Sequence, residues 1–170
     1  MYLNVSYRLM AISGHGLEES QKDTFIYDLK TDDWTPSHQL NIGRYFHACE
    51  KFKLDQSTII VVAGGIGWDF GRFEKVEFLD LQLDSGWVLG KSLPIAVAAH
   101  VLAPSANGQG VLSIGGMTEH NGMTGDIHEL QCNGSLDDCQ WVTLKQTLEY
   151  PRELFGALLI PDSLANELCN

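Results

Sequence analysis

Cys132 and Cys139 are the residues whose spacing most directly suggests chemistry. They stand at the two feet of a polar turn between strand-like runs, and thiols placed across from each other on paired strands can form a disulfide. The turn contains Asn133-Gly134-Ser135, a glycosylation acceptor, and Asn4-Val5-Ser6 is another. We predict a Cys132–Cys139 disulfide, with Asn133 as a glycosylation candidate. These features favour an extracellular over a cytoplasmic location, in which both thiols would be free.

The histidines and the remaining cysteines raise the question of a metal site. His47 and His100 occupy matching places in a repeat, which favours a structural role. Tyr45, His47 and Cys49 alternate along one run, but no motif identifies a metal-binding set. Cys49 and Cys169 are isolated, without the short cysteine spacing of zinc sites, and we expect Cys49 to be a small core residue. The sequence therefore predicts no metal, no cofactor and no catalytic residue.

A third candidate site lies in residues 66–74. Trp68, Asp69, Phe70 and Arg72 are held between glycines there. Aromatic residues and arginine in a loop are typical of binding hot spots. The alternative is that Phe70 and Phe73 fold back and cap the blade.

The elements that must position these residues repeat along the chain. Small-residue pairs close strand-like runs at a constant spacing of 51 residues: Ser13-Gly14, Gly64-Gly65 and Gly115-Gly116. A polar loop follows each pair, then a strand ending in an acidic residue and leucine, and then a tryptophan. The strand endings and tryptophans are Asp28-Leu29 with Trp34, Asp80-Leu81 with Trp87, and Glu129-Leu130 with Trp141. Further strands at 46–54 and 98–103 bring each unit to four.

Four short strands in a period of about 50 residues are the signature of a β-propeller blade. Inner strands of a blade are covered on both faces, so they should be continuously apolar, as Ile59-Ile60-Val61-Val62-Ala63 is. A tryptophan on the outermost strand can cover apolar area between two blades. A β-sandwich is the alternative, although sandwiches need no fixed period. We predict an all-β propeller segment of four-stranded antiparallel blades.

The glycine pair, the aspartate-leucine and the tryptophan together resemble the kelch repeat over nearly the whole chain. Ser13 in place of a glycine and Glu129 in place of the aspartate are the departures. The resemblance implies that the loops between second and third strands, here 15–23, 66–74 and 117–125, emerge on one rim. It implies further that arginines just before opening strands grip acidic peptides. This carries over to Arg44 and Arg152, whereas Val97 replaces the arginine in the repeat between them. It also implies the alternative of a kelch-fold enzyme, a copper oxidase or a sugar-processing enzyme, whose catalytic residues would lie mostly outside this chain.

The repeat sets the predicted boundaries. We expect 1–43 to hold the last three strands of a first blade, 44–96 and 97–149 to be complete blades, 150–161 to be the opening strand of a further or closing blade, and 162–170 to be a tail. Three blades cannot close a ring, because propellers have roughly four to eight. Either the chain is part of a longer protein, or two copies close a six-bladed ring.

Charge limits the partners. The net charge is −11, which repels phosphate backbones and anionic lipids and predicts neither nucleic acid nor membrane as a partner. No basic start with an apolar core, as in a secretory signal, begins the sequence. We expect a protein-interaction scaffold that presents the rim bearing Trp68, Arg72, Arg44 and Arg152 to an acidic or amphipathic protein or peptide.

Overall fold

The computed structural model describes residues 8–16, 20–83, 85–119 and 122–160. These residues form strands, turns and loops, and none of them belongs to a helix. Every strand pairing among them is antiparallel. The predicted all-β class is therefore confirmed. Accordingly, this part of the chain has no helix with the length and apolarity to cross a membrane.

The strands form three main sheets, in each of which spatial order follows chain order. The first sheet contains β1 (Arg8–His15), β2 (Ser20–Asp28) and β3 (Asp33–Pro36). The second contains β4 (Ala48–Leu54), β5 (Ser57–Ala63), β6 (Val76–Asp80) and β7 (Val88–Leu89). The third contains β8 (Val101–Pro104) and β9 (Val111–Ile114) and, after a small hairpin of β10 (Met117–Thr118) and β11 (Gly122–Met123), β12 (Asp126–Gln131) and β13 (Gln140–Thr147). Each sheet thus takes its strands from one sequence repeat.

The apolar run of β5 lies at the centre of the structure. Ile59, Val61, Val62 and Ala63 are buried, and consecutive side chains of a strand point to opposite faces, so β5 is covered on both sides. Val61 and Ala63 contribute to a core between the second and third sheets, whereas Val62 contributes to one between the first and second. Burying a side chain of this size contributes about 1.5–3 kcal/mol. The continuous apolar pattern therefore reflects packing on both faces, as predicted.

The small-residue pairs are turns that require unusual backbone angles. Gly64 has a φ of 63° and Gly115 a φ of 60°. A Cβ on Gly64 would lie 2.4 Å from the carbonyl oxygen of Val97, so no larger residue fits there. Ser13, at the equivalent place in the first repeat, adopts a φ of 54° and its hydroxyl donates to the carbonyl of Arg44 at 2.7 Å. That hydrogen bond helps a non-glycine residue to hold the left-handed conformation.

Two of the three repeat tryptophans bridge neighbouring sheets. Nε1 of Trp87 donates to the carbonyl of His38 at 2.9 Å, and Nε1 of Trp141 donates to the carbonyl of Lys91 at 3.1 Å. Trp34 is 54% exposed, because no described sheet precedes the first one. The expected tryptophan cover between units therefore applies to Trp87 and Trp141 and not to Trp34.

The opening strands differ from the sequence prediction. β4 begins at Ala48 and β8 at Val101, because Phe46 and Ala99 just before them have φ values of 53° and 54° and cannot extend the strands. Residues 150–160 form no strand, and no strand in the described part of the chain pairs with them. Position 161 and the predicted tail at 162–170 lie outside the described residues.

Candidate binding site

The loop between β5 and β6 is a short, well-braced turn. The amide of Gly67 donates to the carbonyl of Gly71 at 3.0 Å, and the amide of Phe70 donates to the carbonyl of Gly67 at 3.1 Å. At its base, Ile66 pairs with both Tyr45 and Arg72 through isolated antiparallel bridges. The loop therefore holds its tip on a hydrogen-bonded base.

The tip of this loop presents aromatic side chains to solvent. Trp68 is 53% exposed and Phe70 is 73% exposed, so Phe70 does not fold back as a cap. Phe73 is half-buried and does fold back, with the Arg44 guanidinium over its ring. Asp69 between Trp68 and Phe70 is also exposed, and its carboxylate accepts a hydrogen bond from the amide of Gly71 at 3.2 Å. Exposed aromatic groups on a fixed backbone lose little conformational entropy when a partner covers them.

An open groove of about 450 Å³ lies between this loop and the first sheet. We call it the Trp68 groove, and its lining residues are Ser20, Lys22, Gly43, Gly67, Trp68, Asp69 and Phe73. The His15 ring lies beside it, 6.5 Å from the Trp68 ring and edge-on to Tyr45 at 4.9 Å. Two elements far apart in sequence thus form one concave surface.

Glycines shape this groove. A Cβ on Gly43 would lie 2.3 Å from the carbonyl oxygen of Ser20, and one on Gly67 would lie 2.6 Å from the ring of Phe73. A side chain at position 43 would push the segment before β4 away from the backbone of β2, whereas one at position 67 would displace the Phe73 ring within the loop. The groove therefore depends on the close backbone approach that glycine permits at position 43.

The groove also carries polar groups. The Ser20 hydroxyl is buried and has no hydrogen-bond partner among the described residues. Lys22 supplies an exposed cation and Asp69 an exposed carboxylate. A buried hydroxyl without a partner is costly, and a bound group that donates to it or accepts from it would recover that energy.

Arg44 does not have the binding role expected of it. Its side chain is fully buried and pairs with the equally buried carboxylate of Glu77 at 2.8 Å. The guanidinium also donates to the carbonyls of Gly64 at 2.9 Å and Lys75 at 2.8 Å and lies over the ring of Phe73. Burial lowers the pKa of Arg44, and the charge of Glu77 opposes this shift. Because its donors bind the protein's own backbone, Arg44 fixes the loop base and is not available to a peptide.

The other two arginines do not line the Trp68 groove. Arg72 is half-buried, and its backbone amide donates to the carboxylate of Glu119 at 3.1 Å. Arg152 is exposed, and its Nε donates to the carbonyl of Tyr150 at 3.2 Å. The structure therefore brings Trp68 and Asp69 into one groove, and neither Phe70 nor the three arginines line it.

The buried histidines have structural surroundings. Burial, together with the charges of His47 and His128, lowers the pKa of His100 to about 3. Burial, together with the charge of Arg44, lowers the pKa of His47 to about 4. The His100 ring packs against Gly64, and the His100 Cβ lies close to Gly116. No group of three or more histidine, cysteine, aspartate or glutamate residues in the described part of the chain is placed to hold a metal ion.

The cysteine predictions have mixed outcomes. Cys132 and Cys139 form a disulfide, as predicted, and Asn133 in the enclosed turn is exposed. Cys49, the one free cysteine among the described residues, is exposed on β4 and not in the core, because its side chain points to a groove beside the first sheet. Asn4 and Cys169 lie outside the described residues.

Sequence reasoning expected residues 15–23 to form a rim loop but named none of His15, Ser20 and Lys22 as a binding residue. His15 follows the Ser13-Gly14 pair directly and begins that loop. Ser20 and Lys22 begin β2 and carry no local signal. They reach the groove only because the first and second sheets pack together.

One comparison with solved structures yields a match to a protein described as "Structure of YjhT". Its TM-score is 0.66 at 15% sequence identity, and the match covers 86% of this chain and 52% of that one. This chain therefore spans about half the length of that protein, and at this identity the similarity concerns the fold alone. The sequence matches no protein-family model. It also matches no curated protein.

Proposed function

We propose that this chain is a segment of a kelch-type β-propeller that binds a protein or peptide through the Trp68 groove. The propeller assignment is supported by the 51-residue repeat and by the same strand order in successive sheets. It is also supported by the tryptophan contacts that recur between neighbouring units. In a propeller, the strands pack between blades, so loops on the rim are the part free to bind.

The exposure of Trp68 beside a concave groove is the observation that carries the binding proposal. Trp68 offers apolar surface, while Lys22 and the buried Ser20 hydroxyl offer polar contacts within the same concavity. This combination suits an amphipathic segment that places an apolar side chain on Trp68 and a carboxylate near Lys22. Large aromatic residues beside a pocket are typical anchors of such interfaces.

Selection from a phage-displayed library of random short peptides tests this proposal. Peptides enriched on the native chain should lose about thirtyfold in affinity or more with Trp68→Ala, since an aromatic anchor typically contributes about 2 kcal/mol. Trp34→Ala is the matched control, because Trp34 is 54% exposed, nearly as much as Trp68, but lies on β3. The proposal is wrong if no peptide is enriched, or if both variants weaken binding equally.

A further inference from the structure

We propose that residues 156–160 of a second copy of this chain add a fourth strand to the first sheet, beside β1, and that the two copies do this reciprocally. This inference does not depend on the Trp68 groove. It concerns the unpaired edge of the first sheet at β1. The occupant is a defined segment of the same sequence, in a defined register.

Among the described residues, no strand lies beside β1 at the place where the other two sheets have their first strand. In the second sheet β4 lies outside β5, and in the third sheet β8 lies outside β9, but nothing described lies outside β1. An open groove of about 600 Å³ lies next to β1, between the first and second sheets. It is lined by Leu9 and Met10 of β1 and by Cys49 and Lys51 of β4, so an added strand would contact both sheets.

Residues 152–155 make the same backbone hydrogen bonds as the segments that come just before β4 and β8. The amide of the second residue of each small-residue pair donates to the carbonyl of the residue that begins the entry segment. The donor and acceptor pairs are Gly14 with Arg44 at 3.2 Å, Gly65 with Val97 at 2.9 Å, and Gly116 with Arg152 at 2.8 Å. Arg152 therefore occupies the position of Arg44 and Val97, each of which comes shortly before a strand.

Leu154 is likewise equivalent to Phe46 and Ala99. Leu154 has a φ of 54°, as Ala99 does, and Phe46 has 53°. The amide of Ala99 donates to the carbonyl of Phe46 at 2.8 Å, and the amide of Leu154 donates to that of Ala99 at 2.9 Å. β4 starts two residues after Phe46 and β8 starts two residues after Ala99. By the same spacing after Leu154, we expect the added strand to start at Gly156.

The register of the added strand follows from the two existing examples. Ala48 pairs with Ala63, and Val101 pairs with Ile114, in each case the residue just before the small-residue pair. Gly156 is equivalent to Ala48 and Val101, and Ile12 is equivalent to Ala63 and Ile114. Antiparallel pairing then places Leu158 opposite Met10, Leu159 opposite Leu9 and Ile160 opposite Arg8.

The side chains of the two partners are suited to this pairing. Leu158 is 89% exposed and Leu159 is 55% exposed, while Leu9 opposite is 56% exposed. Such exposure of consecutive large apolar residues on an unpaired segment next to an open strand edge is a liability that pairing removes. Position 161 is proline, which has no amide to donate, so the added strand would end where β1 begins.

A second copy fits better than the chain's own segment. Residues 152–154 bind the end of the third sheet through Gly116 and Ala99, whereas β1 packs on the second sheet through Met10 and Ile12. Because residues 152–154 are attached to the third sheet and β1 packs on the second sheet, the chain's own residues 156–160 start away from the edge of β1. Reciprocal exchange between two copies satisfies both edges by a two-fold axis, the commonest symmetry of protein dimers.

Cysteine trapping of the proposed register is the test. The 170-residue chain with Cys49→Ser and Cys169→Ser would carry Leu9→Cys and Leu159→Cys, two substitutions at exposed positions. Directly opposed strand residues have Cα atoms about 4.5–5.5 Å apart, within the range of a disulfide. We expect a reducible covalent dimer of twice the 18.8 kDa of one chain. The matched control is Leu9→Cys with Leu158→Cys, which differs by one residue and should form little of this dimer, because its side chain points to the other face.

Light scattering on the unmodified chain completes the test and does not depend on the engineered cysteines. A dimer that becomes a monomer with Leu158→Asp and Leu159→Asp together supports the proposal. A monomeric unmodified chain, equal trapping in both cysteine pairs, or an intramolecular disulfide between positions 9 and 159 would overturn it. The last result would show that the chain's own segment covers β1.

Discussion

Arg44 and Glu77 form an ion pair in which both side chains have no solvent exposure, with Nη2 2.8 Å from Oε1. The Glu77 carboxylate also accepts hydrogen bonds from the backbone amides of Asn41 at 2.7 Å and Ile42 at 3.1 Å. The pair therefore joins the segment before β4 to β6 and to the base of the loop that carries Trp68. Its hydrogen bonds compensate for the burial of two charges.

Removing one partner of this pair should destabilise the fold strongly. We expect Arg44→Met to lower the free energy of unfolding by about 3–5 kcal/mol, because Glu77 would remain buried without its counter-charge. Urea denaturation followed by tryptophan fluorescence measures this loss. The matched control is Arg152→Met at the equivalent but exposed position, which should change stability by no more than about 0.5 kcal/mol. Similar losses for both variants would contradict the structural role of Arg44.

The sequence predicted the strands better than it predicted the site, for a physical reason. The turn at Gly64-Gly65 and the covered strand before it depend on local requirements of backbone angle and apolar pattern, which are visible in the sequence. Arg44 looks like a basic residue before a strand, and nothing near it reveals Glu77, 33 residues further on, which takes it into the interior. Ser20 and Trp68 likewise meet only through the packing of two sheets. Long-range contacts of this kind leave no periodic signal.

The Cys132–Cys139 disulfide should contribute modestly to stability. It closes a short loop, with a sequence separation of 7, so replacing both cysteines by serine should cost about 2 kcal/mol, the low end of the usual range. Thermal unfolding of the oxidised protein with and without the double substitution measures this cost, and Cys49→Ser serves as the control. Thiol labelling at both positions in protein purified under oxidising conditions would show that the disulfide does not form. It would also remove the reason to favour an extracellular location.

Gly64 and Gly108 offer a comparison of two positions with similar backbone angles. Gly64 has a φ of 63° and is enclosed, whereas Gly108 has a φ of 69° with nothing within 4 Å of an added Cβ. Gly108→Ala should cost about 1–2 kcal/mol from the left-handed conformation alone. Gly64→Ala should cost clearly more, because its Cβ would also meet the carbonyl of Val97 at 2.4 Å and the His100 ring at 2.7 Å. Chemical denaturation of both variants tests this order, and an equal loss would mean that the contact between Gly64 and the next repeat is not tight.

Acid should destabilise the protein through His100 and His47. The pKa of His100 is about 3 and that of His47 is about 4 in the folded protein, against an ordinary value of 6.5 that applies when the chain is unfolded. Below pH 6.5 the unfolded chain therefore binds protons that the folded chain does not, and stability present above pH 6.5 is lost as the pH falls toward these lower values.

His100→Phe tests this acid sensitivity with a substitution that the chain itself suggests. The ring of Phe155 packs against Gly115 much as His100 packs against Gly64, with nearest distances to an added Cβ of 3.1 Å and 2.7 Å. Phenylalanine should therefore fit and remove one of the protons taken up on unfolding. We expect the slope of unfolding free energy against pH, measured by urea denaturation between pH 6 and pH 5, to fall by up to about 1.4 kcal/mol per pH unit. An unchanged slope in a folded variant would show that His100 is already protonated in the native state, or that water reaches it.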